Sequence, residues 1–574
     1  MQTPVIDRPV AGPAPVPAPR PALLPWLLAG GWLAHVLLRL WLFRYHAGPV
    51  ANPDEVGYLL AARWLAGGPG GDYSGSTFYQ GGYPLLLAPL YWLSTDPATV
   101  YRLVSCLGAV VSASAFPLAY LVLRRLTLGR RAAPALAFAG ALGPSVLVFS
   151  GLALVDAVLP TLVLGWLLAL HDLVTRGTVL PGVVAGALSG LALAMHMRGA
   201  ILFGVFVVCV IGVLVFRRVP LPAGWWTLGA AAVAGGAGAL LNARLKAALY
   251  PGGVKDLSGL ALERMTGLEG QARSLAGAAG QLWYLVTATW GLAGVGIVAA
   301  VVVLVRRGGS PYRVTAGVLL ALTLGIAYAS SAALPDEHRV GNYAYGRYLA
   351  CAAVAWTLVG LAALVRARRR TALAGAAASA GLLAVSGGIA AWYAGDRLTR
   401  YHYIAFDFPE TAFLSGVRDR LDLVGASAAA LLLLTAITAA AVKKAGAGSL
   451  KGAGAAGRGR AGALGAVLVA GALAVPNAAF AADLAPKSAP VAGNDGLPRI
   501  TQGRVGLDTR VKWNIWVHLI HRVHWTPIER VRPATEPLPE GLCTVVAAPE
   551  AGAPPAGWKV AVRGKGWVTW TTTC

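Results

Sequence analysis

Charge is what this chain has least of. Asp, Glu, Lys and Arg make up 13% of its 574 residues, where an ordinary soluble domain runs near ~25%. Acids are scarcer than bases, 24 against 48. The 72 glycines follow no three-residue period, which excludes a collagen-like rod, and no internal repeat is apparent. The apolar content is too high for a disordered chain. With 57% hydrophobic residues and a mean hydropathy of +0.63, a single water-soluble core is excluded too, because a globule cannot bury that much apolar surface. What remains is a polytopic membrane protein.

A helix crossing the hydrocarbon needs about 20 apolar residues. Thirteen such runs lie near 22–43, 102–123, 132–150, 152–171, 179–195, 199–216, 224–242, 284–305, 314–333, 348–365, 372–391, 423–442 and 462–481. With the N-terminus inside, the inside segments collect 21 Lys and Arg against two acids, Asp7 and Asp172. The outside loops up to the twelfth run hold 14 basic and 14 acidic residues. Most of the +24 net charge is therefore the positive-inside signal, and nucleic-acid binding is dropped as a reading.

Thirteen spans starting inside place the polar segment 482–574 outside, as a small α+β extracytoplasmic C-terminal domain. Residues 1–21, rich in Pro and Ala, read as a disordered cytoplasmic tail. The body spans 22–442, 443–461 reads as a basic cytoplasmic linker, and 462–481 as the last transmembrane helix. Ala479-Phe480-Ala481 also resembles a signal-peptidase flank, so cleavage after Ala481 stands beside a retained span. Cys106, Cys209 and Cys351 fall within spans as small apolar residues. Cys543 and Cys574 lie in the exported domain, where an oxidising exterior pairs them as a disulfide.

All the long loops fall outside: 44–101, 243–283, 334–347 and 392–422. The first carries Asn52-Pro53-Asp54-Glu55-Val56-Gly57-Tyr58, two adjacent carboxylates opening a short helix over 53–66. Asn52, Pro53 and Glu55 also form a capping-box pattern, and Leu59, Leu60 and Trp64 make an apolar face suited to the headgroup layer. Phe78-Tyr79-Gln80-Gly81-Gly82-Tyr83-Pro84 follows, which reads equally as an interfacial aromatic belt.

The order of these features resembles the GT-C superfamily of integral-membrane glycosyltransferases, most of all its bacterial aminoarabinose-transferase and protein O-mannosyltransferase-like branch. One span, an Asp-Glu-x-x-Tyr loop, a Gly-Tyr-Pro segment and a second span preceded by Tyr101-Arg102 carry the resemblance, over about residues 22–442. It implies an all-α, GT-C-like fold and inverting transfer of a sugar from a polyprenyl-phosphate donor to an acceptor hydroxyl at the outer face. Asp54 then matches the base, with Glu55 orienting the acceptor or supporting the base, and Tyr58 and Tyr83 as loop-one support. Asp156, after Ser150 at the outer end of the fourth span, matches a site carboxylate. Tyr345-Gly346-Arg347-Tyr348 matches a donor-phosphate motif, since a fixed guanidinium holds phosphate bidentately. Arg347, Tyr345 and Tyr348 are its candidates, joined by His196 and Arg198 in an exposed turn between the fifth and sixth spans. The implied acceptor is a cell-envelope glycan, lipid or protein, within membrane lipid. No cofactor is called for, and a divalent metal has no support in the sequence, because the first loop holds no His–carboxylate pair at metal spacing.

In the exported domain, Trp513, Trp516, Ile520 and Val523 share a helical stripe, and His518, His521 and His524 spread too widely for a metal site. The tail from Trp558 to Trp570 alternates like strands; its tryptophans suit sugar stacking or a core. Two other functions stand beside the glycosyltransferase. A transporter or flippase of lipid-linked glycans requires polar residues within spans or related halves, and neither is apparent. A non-catalytic membrane scaffold requires only the exported domain.

Overall fold

The computed structural model describes residues 23–573, apart from 52, 307–309, 448–454, 488–502, 513–514, 517–518 and 521–525. The expected cytoplasmic tail, Asn52, Trp513, Val523 and the three histidines of the exported domain lie outside the described residues. The body is helical and carries a small sheet at its C-terminal end. Among the described residues, nine helices are long and apolar enough to cross a membrane, making this a multi-pass membrane protein.

The thirteen apolar runs do not become thirteen straight spans. The helices Leu268–Ala288 and Leu292–Val305 meet at a 114° bend, the form of a broken span or a re-entrant loop. The break falls at Gly291, whose φ of +80° is the left-handed geometry that favours glycine. The run 132–150 is a correction: it breaks into Ala133–Ala141 and Pro144–Leu147. Two polar side chains buried in the body hold that break. Arg39 Nη2 donates to the Ala141 carbonyl at 3.1 Å, and Asn477 Nδ2 donates to the Ala139 carbonyl at 2.9 Å. Both carbonyls belong to the last turn of a helix, where intrahelical partners run out. The chain then turns irregularly from Val148 to Val158 before the helix Leu159–Arg176, and Val179–Met195 is a shorter apolar helix. The last run belongs to a longer helix, Ala455–Lys487, which passes through Ala481.

The first long loop supplies a buried helix, Asp54–Leu65, and a short one, Gly82–Leu87. Glu55 through Arg63 are all buried, so this helix does not lie in the headgroup layer as its apolar face suggested. Gly57 makes room for its packing, because a side chain there would run into the Tyr79 ring.

Among the described residues five strands form one sheet, β1 (Arg504–Asp508), β2 (Ile528–Val531), β3 (Leu542–Ala547), β4 (Lys559–Gly564) and β5 (Trp567–Thr571), in the order β2-β1-β3-β5-β4. β1 runs parallel to β2 and β3, and β5 antiparallel to β3 and β4. Trp567 and Trp570 are buried in it. They are core, not sugar-stacking surface, because alternate β5 side chains are covered on both faces. Cys543 is disulfide-bonded; Cys574, the partner expected for it, lies outside the described residues.

Candidate active site

Four charged residues far apart in the chain meet at one place. Arg347 sits in the 3-10 turn Gly346–Leu349, which opens the helix Ala350–Arg366. Its Nη1 donates to Asp54 Oδ2 at 2.7 Å and its Nε to Asp156 Oδ2 at 2.9 Å. Arg198 Nη2 donates to the other oxygen of Asp156 at 2.7 Å. The result is an alternating row, Asp54–Arg347–Asp156–Arg198, in which each buried charge faces its opposite. Burial of this kind is sustained only by such pairing. Asp156, Arg198 and Arg347 are closed in, while the Asp54 side chain keeps 33% of its surface open. Asp54 is the accessible end of the row.

Each member is held by its surroundings. Tyr79 OH donates to Asp54 Oδ1 at 3.0 Å, so both carboxylate oxygens are engaged. Tyr345 OH accepts from Arg347 Nη1 at 3.3 Å, and Phe149 lies 5.6 Å beneath the Arg347 guanidinium. Arg198 Nε donates to His196 Nδ1 at 3.2 Å, and its guanidinium lies 5.4 Å from the Tyr348 ring. His196 N-caps the helix Met197–Val215 by accepting from the Arg198 amide at 3.1 Å. Arg198 is therefore not in an exposed turn: it is buried because the chain folds Asp156 over it. Tyr58, on the helix of Asp54, and Tyr83, on the helix Gly82–Leu87, are buried and meet edge to face at 5.2 Å.

Glu55 departs from its expected role beside the base. It is fully buried and points away from the row. Its Oε1 accepts from the amides of Val50 and Ala51, both at 2.7 Å. Its Oε2 accepts from Tyr101 OH at 2.6 Å and from the Ala153 amide at 2.7 Å. Burial pushes this carboxyl up, against the pull of those four donors. Glu55 ties the loop, the helix Pro97–Ala113 and the turn before Asp156 together, and it has no lone pair to spare for an acceptor.

Sequence reasoning missed three residues here. Tyr79, read as aromatic belt, is the donor to Asp54. Asp407 and Glu410 come from the segment after Tyr403, where an aromatic run ending in Phe408-Pro409 was the available signal. Together with Arg347, they line a cavity whose walls include Phe149, Leu285, Ala288, Ala350 and Ala353. Burial pushes the Asp407 carboxyl up to about 6, despite Arg339 and Arg347 nearby. Its Oδ2 has no hydrogen-bond partner among the described residues. Burial also pushes the Glu410 carboxyl up, and it accepts from Tyr284 OH at 2.5 Å. Among the described residues no three His, Cys, Asp or Glu side chains gather as a metal site.

A polytopic helical body with a small C-terminal mixed sheet is an architecture found in solved structures. The chain is similar to ArnT from Cupriavidus metallidurans bound to undecaprenyl phosphate, at 14% identity and a TM-score of 0.54, over 96% of this chain and 98% of that one. It is also similar to the same protein in the apo state, at 15% identity and a TM-score of 0.50, over 94% and 98%. The fold is thus ArnT-like along nearly its whole length, C-terminal domain included. No family model matches the chain, and no curated protein matches it in sequence.

Proposed function

We propose that this protein is a glycosyltransferase that moves a sugar from a polyprenyl-phosphate donor to an acceptor hydroxyl at the outer face of the membrane, with inversion. The observation that carries this reading is the Asp54–Arg347 pair: a half-open carboxylate joined to a buried guanidinium, beside an apolar-walled cavity. The similar ArnT structure holds undecaprenyl phosphate, a lipid of the donor class named here.

Each part has a physical task. Asp54 takes the proton from the acceptor hydroxyl as its oxygen bonds to the anomeric carbon. The bond from that carbon to the phosphate oxygen breaks, and the charge gathers on the departing lipid phosphate. Arg347 stabilises that charge through a fork that two nitrogens can offer at once. Asp156 and Arg198 fix the guanidinium, and Tyr345 and Tyr348 fix its ring environment. In this reading the phosphate draws Arg347 from Asp54 Oδ2, which frees that oxygen as donor binding is completed. The N-terminus is cytoplasmic, and the C-terminal domain lies on the reaction side. The acceptor is a cell-envelope glycan, lipid or protein.

The test follows release of lipid phosphate from a panel of polyprenyl-phosphate pentoses and hexoses, with a hydroxyl acceptor and Asp54→Asn beside the wild type. Turnover of one donor that is lost in Asp54→Asn is expected. Turnover that survives Asp54→Asn removes the base; donors that neither react nor bind remove the function.

A further inference from the structure

The C-terminal sheet leans on the first long loop through its edge strand β2. Ile528 bridges Gly71. The Arg530 guanidinium pairs with Asp72 at 3.4 Å and donates to the Ser74 carbonyl at 3.0 Å. It also lies 5.2 Å from the Trp516 ring. Trp516 stacks on Tyr73 with centroids 5.2 Å apart and planes 25° from parallel, and both rings are buried.

Tyr73 has a second set of contacts on its other side. Its hydroxyl donates to the carbonyl of Pro53 at 2.9 Å, one residue before Asp54. Its ring lies 6.0 Å from Tyr79, whose hydroxyl holds Asp54 Oδ1. The Pro53 carbonyl also accepts from the Gly57 amide at 3.2 Å, so Tyr73 grips the first turn of the helix that begins at Asp54. The loop between Leu65 and Gly82 has no helix of its own; such a segment takes its shape from what it rests on. Here its backbone is tied to the segment 249–255, as by the Tyr73 amide donating to the Leu249 carbonyl at 2.7 Å, and its Tyr73 ring and the stretch 72–74 rest on the C-terminal domain.

We infer that the C-terminal domain is a positioning element for Asp54. Trp516, braced by Arg530, fixes Tyr73; Tyr73 fixes the Pro53 carbonyl and the Tyr79 ring, and these aim the carboxylate. Trp516, Arg530 and Tyr73 are positioning residues that need not touch substrate. The inference rests on the assignment of Asp54 as base.

The experiment uses the full-length protein, with Trp516→Ala, Trp516→Phe and Arg530→Ala. Because a small misplacement of a reacting group costs up to about 100-fold, kcat is expected to fall about 10- to 100-fold in Trp516→Ala and about 3- to 10-fold in Arg530→Ala. Undecaprenyl phosphate should bind all three variants as it binds the wild type, and Trp516→Phe should recover most of the rate by restoring a stacked ring. Hydrogen exchange of residues 50–58 is read on the same samples, and Trp516→Ala should speed it. An unchanged kcat beside an active wild type overturns this inference alone. A parallel loss of lipid-phosphate binding also overturns it, since the damage is then general. If the wild type consumes no donor, the function proposed above fails, and the exchange readout still decides this inference: unchanged exchange overturns it.

Discussion

Asp54 and Glu55 are neighbours in sequence and inhabit two different regions of the molecule. Asp54 stands on the rim of the charged row, partly open, with a guanidinium on one oxygen and a tyrosine hydroxyl on the other. Glu55 lies in the interior, with no exposed surface and four donors that carry no charge. A helix turns its side chains about 100° per residue, so one step along the chain is enough to send one carboxylate to the site and the other into the scaffold. The difference separates two uses of the same chemistry. A charged partner and an open side suit a group that exchanges protons with a substrate. A closed shell of neutral donors suits a group that holds three segments in place.

The strongest way to break this comparison is to neutralise each carboxylate in turn. Asp54→Asn should lower kcat by at least about 100-fold while lipid-phosphate binding and thermal stability stay near wild type. Glu55→Gln should do the reverse, costing about 1–3 kcal/mol of stability because its amide nitrogen meets donors it cannot accept from. Its turnover per folded molecule should stay within a factor of about ten, measured after correcting for the folded fraction. If Glu55→Gln removes turnover without loss of stability, the two regions are not distinct.

Arg347→Lys sharpens the rim side. Lysine keeps the charge and loses the fork that reaches Asp54 and Asp156 together. A fall in kcat of about 10²-fold, with weaker lipid-phosphate binding by titration, is expected. A variant as active as wild type shows that point charge alone suffices there.

Asp407 gives the smallest effect, read in pH. Its carboxyl titrates near about 6 in the fold against an ordinary value of 3.8. Below the ordinary value it is protonated in both folded and unfolded chains and costs nothing. As pH rises toward 6 the unfolded chain ionises first, and stability falls by up to about 3 kcal/mol. Asp407→Asn removes that penalty. Its melting temperature should exceed that of wild type above pH 6, and the gap should close below pH 4. A gap independent of pH contradicts a buried carboxyl whose Oδ2 has no hydrogen-bond partner among the described residues.

Several site residues were legible in the chain. Asp54, Asp156 and Arg347 stand out because so few charges border long apolar runs, and Arg198 because it interrupts two of them. Tyr79 was legible only as an aromatic, since its partner is set by where the loop folds back over Gly57. The inward turn of Glu55 was hidden because a capping box and a catalytic pair share the same spelling. The burial of Trp567 and Trp570 was hidden because alternation fits a covered strand as well as an exposed one.

Composition and hydropathy alone determined that this is a polytopic membrane protein, where its apolar runs and long loops lie, and that its tail ends in strands. Those properties are local sums over neighbouring residues. Tertiary structure decided that positions 54, 156, 198 and 347 form one row, that the run 132–150 is broken, and that Trp516 rests on Tyr73. In lipid both the outer and the packed faces of a helix are apolar. Hydrophobic periodicity then no longer tells which side meets a neighbour, and only the packed bundle does.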